Sequence, residues 1–147
     1  RASLPESVAA RLGESSQRLL KANREEAREA ELRASFGHLL DANVDIVLGT
    51  DAGAVPDHFF GYTGHRELEI FVRLGMTPMQ AIVAATSKPA QRLGLDDLGL
   101  LQPGYSADLV VLDKNPLNNI RNTRSISLVF LNGRILDRAG MTADFTQ

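Results

Sequence analysis

The sequence has 147 residues, 44% hydrophobic and 23% charged, a composition able to bury a packed core and unlike that of a disordered chain. Sixteen Lys plus Arg against eighteen Asp plus Glu give a net charge of −2, with no basic stripe interleaved with aromatics, so no nucleic-acid partner is expected. There is no cysteine for a disulfide or a thiolate metal site, no apolar run of membrane-spanning length and no hydrophobic signal region at Arg1-Ala2-Ser3-Leu4-Pro5, which leads to the expectation of a soluble, cytoplasmic protein with no membrane partner.

Ser3-Leu4-Pro5-Glu6 has the spacing of a capping box and predicts the start of a helix. From Glu14 to about Ala42 good helix formers dominate, with a thin apolar stripe. A largely solvated helix is expected, then a better buried one over about Leu32–Leu40 carrying Phe36, Leu39 and Leu40. The charge run Arg24–Glu29 reads as a solvated helix face.

Val44-Asp45-Ile46-Val47-Leu48 is short, β-branched and almost continuously apolar, as in a parallel strand covered on both faces. It leads into Gly49-Thr50-Asp51-Ala52-Gly53 and an aperiodic loop to Gly64. A helix over about His65–Leu74 should bury Leu68, Phe71 and Val72 and stop at Gly75. Thr77-Pro78-Met79-Gln80 predicts another, with Thr as cap, Pro at the first helical position and Gln closing a capping box. Ala81, Ile82, Ala84 and Ala85 suit it to close packing, and a shorter helical turn over about Pro89–Leu93 should end at Gly94.

Beyond Gly94 the pattern changes to strands and turns. Gln102-Pro103-Gly104-Tyr105 fits a type II turn, Ala107–Asp113 a buried strand, and Asn132-Gly133 between Ser127–Leu131 and Arg134–Leu136 a two-residue hairpin. The tail after Asp137 is expected to be loosely held.

Asp51 is the candidate for chemistry, because an aspartate at the mouth of a parallel strand, followed by a loop, lies where barrel enzymes place reacting groups. Taken alone, the local sequence favours the alternative, a turn aspartate bonding nearby amides. His58 and His65 flank the loop and stand either as substrate contacts or as an exposed loop residue and a helix-start residue; His38 reads as structural. Phe59, Phe60 and Tyr62 fit an apolar substrate pocket and a pinned loop equally well. Asp108 is expected to bond nearby backbone, and Glu67 and Glu69 to favour a helix start.

The ordered pattern is more specific than any one of its parts. Strand-Gly-Thr-Asp-Ala-Gly, Glu67-Leu68-Glu69, Leu74-Gly75-Met76-Thr77-Pro78, Ala84-Ala85-Thr86, Pro89-Ala90, Leu93-Gly94-Leu95, Pro103-Gly104, Ala107–Asp113, Asn115-Pro116-Leu117 and Val129–Arg134 follow one another in register. Over about residues 32–137 this resembles the amidohydrolase superfamily, in the branch of imidazolonepropionase-like and prolidase-like (Xaa-Pro dipeptidase) hydrolases.

The resemblance implies an α/β fold: the C-terminal fragment of a (β/α)8 metal-dependent hydrolase barrel plus part of a small β-sandwich domain. The expected divisions are a helical extension over 1–31, the last barrel units over 32–95, part of the β domain over 96–137 and a tail over 138–147. It also implies hydrolysis of a C–N bond (amide, cyclic amide or peptide-like) by metal-activated water, with Asp51 as metal ligand and proton shuttle. The implied cofactor is one or two divalent ions, zinc by expectation, in the complete enzyme. The family's other ligands are a His-x-His pair, a lysine and two further histidines. His38, His58 and His65 match none of those positions, so this chain alone is expected to be inactive and to bind no ion by itself.

A chain that does not begin with Met is expected to start inside something longer, although a processed start would look the same. The expected partners are a small-molecule or dipeptide-like substrate and either the missing N-terminal part of the barrel or a swapped copy of this chain. The competing reading is a non-catalytic truncated remnant acting in assembly or binding. A stand-alone α/β ligand-binding module would need more parallel strands than the one found before residue 100.

Overall fold

In a computed structural model of the chain, residues 6–54 and 58–144 are described. They divide into two units, Arg1–Ala42 and Asn43–Gln147, and each is taken by itself. The expected cap at Ser3 and the loop positions Pro56 and Asp57 lie outside the described residues.

The first unit is a helix, α1 (Glu6–Asp41). The two helices expected here are one, because no proline interrupts the run and its two glycines, Gly13 and Gly37, cost only about 1 kcal/mol each relative to Ala. Lys21–Glu25 and Glu29–Arg33 pair one turn apart at 4.0 and 3.8 Å on its solvated surface. Within this unit Leu32 and Leu39 are exposed and Phe36 and Leu40 are half-buried, so the better buried segment is not formed by these residues among themselves. The Ala42 N–H bonds the His38 carbonyl, and Asn43, with φ +52, takes the left-handed turn that ends the helix.

The second unit contains α2 (Tyr62–Leu74), α3 (Pro78–Ala85), α4 (Ser87–Leu93), β1 (Leu109–Leu112), a 3₁₀ helix (Ile120–Arg124), β2 (Ile126–Leu131), β3 (Arg134–Ile135) and α5 (Arg138–Asp144). Gly75 at φ +131 ends α2 and Gly94 at φ +69 ends α4, as expected for residues free of a Cβ. Gln80 N–H bonds Thr77 Oγ1 at 3.2 Å while Thr77 N–H bonds Gln80 Oε1 at 2.8 Å, so the capping box forms with Pro78 in the first turn. Leu68, Phe71 and Leu74 of α2 meet the fully buried Ala81 and Ala84 of α3, small side chains that let the two helices approach closely. Ile120 and Thr123 extend this core, and the 3₁₀ helix touches both α2 and β1.

The sheet has the order β1-β2-β3, antiparallel throughout, with Leu109 opposite Phe130 and Phe130 opposite Ile135. Asn132 at φ +51 and Gly133 at φ +74 form the hairpin turn, both central residues left-handed as that turn type requires. Tyr105 N–H bonds the Gln102 carbonyl at 3.1 Å across Gly104, whose φ is +91. Asp108, just before β1, accepts from Asn132 N–H at 2.6 Å and from the Ser106 hydroxyl at 3.0 Å. It therefore bonds nearby backbone as expected, from an exposed position rather than inside a strand. The segment after Asp137 is helical, with Gly140 N–H capped by Asp137 Oδ1 at 2.9 Å.

Residues 44–48 differ from expectation: they form no strand ladder among the described residues. Leu48 N–H bonds the carbonyl of Ala84 at 2.9 Å, and Asp45 pairs with Lys88 at 3.3 Å and with Arg92. A strand is defined by its neighbours, and here the segment leans on α3 and α4 instead. Val44 and Val47 remain exposed, lacking the burial that flanking strands would supply.

Candidate active-site turn

In the turn Thr50–Ala54 the amides of Ala52, Gly53 and Ala54 are satisfied without the Asp51 carboxylate. Ala52 N–H bonds Thr50 Oγ1 at 3.2 Å, Gly53 N–H bonds the His58 carbonyl at 3.0 Å, and Ala54 N–H bonds the Asp51 carbonyl at 3.0 Å. Gly53 supplies the positive φ, +83, that such a turn needs at its third position. Asp51 itself sits at φ +49, a region that costs a side-chain-bearing residue of order 1–3 kcal/mol and persists only when its surroundings hold it. The residue is exposed, and its carboxylate takes no hydrogen bond or ion pair among the described residues.

Among the described residues, the Asp51 carboxylate bonds none of the neighbouring amides. The carboxylate stands on a strained backbone conformation and has no partner among the described residues. Such strain is concentrated at sites where a side chain must point in one direction.

His58 is half-buried, with its Nδ1 2.7 Å from the Thr50 carbonyl oxygen. A carbonyl only accepts, so Nδ1 donates and Nε2 is the nitrogen left available. Phe60 is 82% exposed although its ring edge packs on Gly53, and Phe59 is also exposed while its carbonyl accepts from both the Thr63 N–H and the Thr63 hydroxyl. The Arg124 guanidinium lies over the Tyr62 ring, 4.9 Å from its centroid. Tyr62 thus pins the start of α2, while the two phenylalanines present apolar surface beside the Asp51 turn.

His65 lies elsewhere in the unit's packing. Its Nδ1 is 3.0 Å from Thr123 Oγ1, and the Thr123 hydroxyl donates to the Ile120 carbonyl at 2.9 Å, so His65 Nδ1–H donates to Thr123. Burial lowers the His65 pKa below 6.5, the positive Arg124 lowers it further, and Glu69 partly opposes both. Burial and Arg124 thus favour the neutral imidazole at this joint between α2 and the 3₁₀ helix. Glu69, expected only to favour a helix start, joins the same two elements through Arg121 at 3.4 Å and Arg124 at 2.6 Å, the latter an ion pair with no N–H aimed at Oε1. Nothing in the local sequence marks these long-range pairs. His38 stands exposed in the last turn of α1, in the other unit.

A groove of about 400 Å³ runs between α2 and the 3₁₀ helix, lined among others by Arg66, Glu69, Arg73 and Arg121. None of its lining residues belongs to the Asp51 turn, so its size does not make it the site of the chemistry. Among the described residues no three His, Asp or Glu side chains stand together where they could hold a metal ion. Asp51 fits as one oxygen donor, and a catalytic zinc takes about three protein ligands. Among the described residues, no helix is long and apolar enough to cross a membrane.

The sequence pattern described as the amidohydrolase family matches residues 6–136. Adenine deaminase 2 of Rhizobium meliloti is 37% identical over 123 residues, covering 75% of this chain and 19% of that protein. Imidazolonepropionase of Pyrobaculum arsenaticum is 49% identical over 47 residues, covering 32% of this chain and 12% of that protein. A crystal structure of an Xaa-Pro dipeptidase with methionine bound in its active site superposes with a TM-score of 0.64 at 32% identity, over 71% of this chain and 25% of that one. The chain thus spans about a quarter or less of these relatives, and its mixed α/β fold is the corresponding part of their (β/α)8 barrel architecture. Match length and shared fold together show that this chain belongs to the amidohydrolase family.

Proposed function

We propose that the chain contributes the catalytic aspartate, Asp51, to a hydrolase that cleaves a C–N bond in an amide, cyclic amide or peptide-like substrate. The observation that carries this reading is the Asp51 carboxylate, without a partner among the described residues and held at φ +49 while the amides of Ala52, Gly53 and Ala54 are satisfied by other groups. Membership of the amidohydrolase family supports it, as do relatives named for hydrolytic activities.

In this reading Asp51 is one ligand of a divalent ion, zinc by preference, whose other donors come from polypeptide outside the described residues. When bound, the ion acidifies water and polarises the substrate carbonyl. Asp51 accepts the proton released as the water oxygen bonds to carbon, and returns it to the nitrogen as the C–N bond breaks. Phe59 and Phe60 offer an apolar wall to the substrate flank. His65 serves α2 packing more readily than substrate contact, since its Nδ1–H is committed to Thr123.

The alternative, a chain acting only in assembly or binding, draws on the lack of a three-donor cluster among the described residues. The two are separated by metal analysis and C–N hydrolase assays on the longest naturally encoded form containing this chain, beside Asp51→Asn. Loss of about 10²–10⁴-fold in turnover with the fold kept is expected for a general acid–base group. Turnover unchanged by Asp51→Asn would sink the assignment.

A further inference from the structure

We infer that His58 is a positioning residue for Asp51 rather than a substrate contact; this rests on the proposed role of Asp51. His58 holds the turn from both sides. Its Nδ1–H reaches the carbonyl of Thr50, the residue before Asp51, at 2.7 Å, and its own carbonyl receives the N–H of Gly53, two residues after Asp51, at 3.0 Å. The Thr50–Asp51 peptide plane, directly before Asp51, and the Ala52–Gly53 plane, one peptide beyond it, are therefore tied to one residue across the loop. A left-handed aspartate needs such a constraint, because a free turn relaxes toward negative φ and swings the carboxylate away.

Substrate contact fits these observations less well. The ring is half-buried and one of its nitrogens is already spent on backbone. The hydrogen bond also fixes the orientation of the ring, which a group positioning its neighbour requires. Residues that orient a ligand without touching the ion typically change metal affinity by about 10–100-fold when removed.

The test uses the longest naturally encoded polypeptide containing this chain and two readouts, Zn²⁺ affinity by chelator competition and amide hydrogen exchange at Gly53 and Ala54. The variants are Asp51→Asn, His58→Ala, His58→Asn and the double variant Asp51→Asn/His58→Ala. His58→Ala is expected to weaken Zn²⁺ binding about tenfold and to speed exchange at Gly53, although the backbone carbonyl that receives this amide is unchanged. His58→Asn, whose side-chain N–H can stand where Nδ1–H stood, should restore both. In the Asp51→Asn background His58→Ala should cost no further affinity.

If Asp51→Asn weakens Zn²⁺ binding and His58→Ala does not, the positioning role is overturned while the reading of Asp51 stands. Additive losses in the double variant would overturn it as well, by showing that His58 meets the ion independently. If the unsubstituted protein binds no Zn²⁺, or Asp51→Asn binds it equally well, the reading of Asp51 fails and the inference fails with it. Unchanged exchange at Gly53 in His58→Ala would remove the clamp itself.

Discussion

The ring of Phe60 packs so closely on Gly53 that a Cβ added to the glycine would lie 2.6 Å from Phe60 Cζ. Gly53 also has φ +83, so Gly53→Ala meets both a steric and a backbone penalty. We expect a loss of about 1–2 kcal/mol from the backbone conformation alone, read as a lower urea midpoint. The exposed Phe60 ring can swing away, so adding Phe60→Ala should recover only the steric part. Equal stability of Gly53→Ala and the parent would contradict the turn.

The His65 joint makes stability depend on pH. With the folded pKa lowered below 6.5, the unfolded chain binds the proton first as pH falls. The contribution of the neutral imidazole is therefore complete above about pH 6.5 and declines as pH drops from there through the lowered folded value. His65→Gln should flatten the stability profile on the acid side of about pH 6.5, in urea titrations at each pH. A profile of unchanged slope would mean that another group governs it.

Thr77→Ala removes the hydroxyl that caps α3 and leaves the Gln80 amide without its partner. A cost of about 1 kcal/mol is expected, with helix content in the folded state unchanged by circular dichroism. Thr77→Ser, which keeps the oxygen, should cost a fraction of that.

The chain taken alone should associate. Val110 is 50%, Leu131 49% and Ile135 60% exposed on a sheet whose outer strands, β1 and β3, have unpaired edges among the described residues. Sedimentation velocity at micromolar concentration is expected to show dimers or larger species, reduced by Ile135→Lys. A compact monomer that unfolds cooperatively would count against this expectation.

Elements governed by short-range chemistry are legible in the residues alone. The Thr77–Gln80 capping box, the stops at Gly75 and Gly94, the Pro103-Gly104 turn and the Asn132-Gly133 hairpin each depend on backbone conformations that a few neighbouring residues impose. The ordered motifs around Asp51 likewise indicate the family that the comparisons show. Two elements are not legible in this way. Val44–Leu48 has strand composition but no ladder, since pairing belongs to the neighbours of a segment and not to its own residues. The helical run of 36 residues reads as two because a change in apolar density resembles a boundary when no packing partner is considered.

The sequence by itself determined that an aspartate would follow an apolar segment in a glycine-flanked turn, because residue type and local turn chemistry decide that much. Only the tertiary structure decided which groups take the amides of Ala52, Gly53 and Ala54. Whether its carboxylate is consumed by nearby amides depends on which competitors arrive, and here Thr50 Oγ1 and the carbonyls of His58 and Asp51 take those amides. His58 reaches back across the loop to Thr50, eight residues earlier in the chain, and His65 meets Thr123 across 58 residues. Contacts of that kind follow from how helices and loops fold back on one another, and no local pattern carries them.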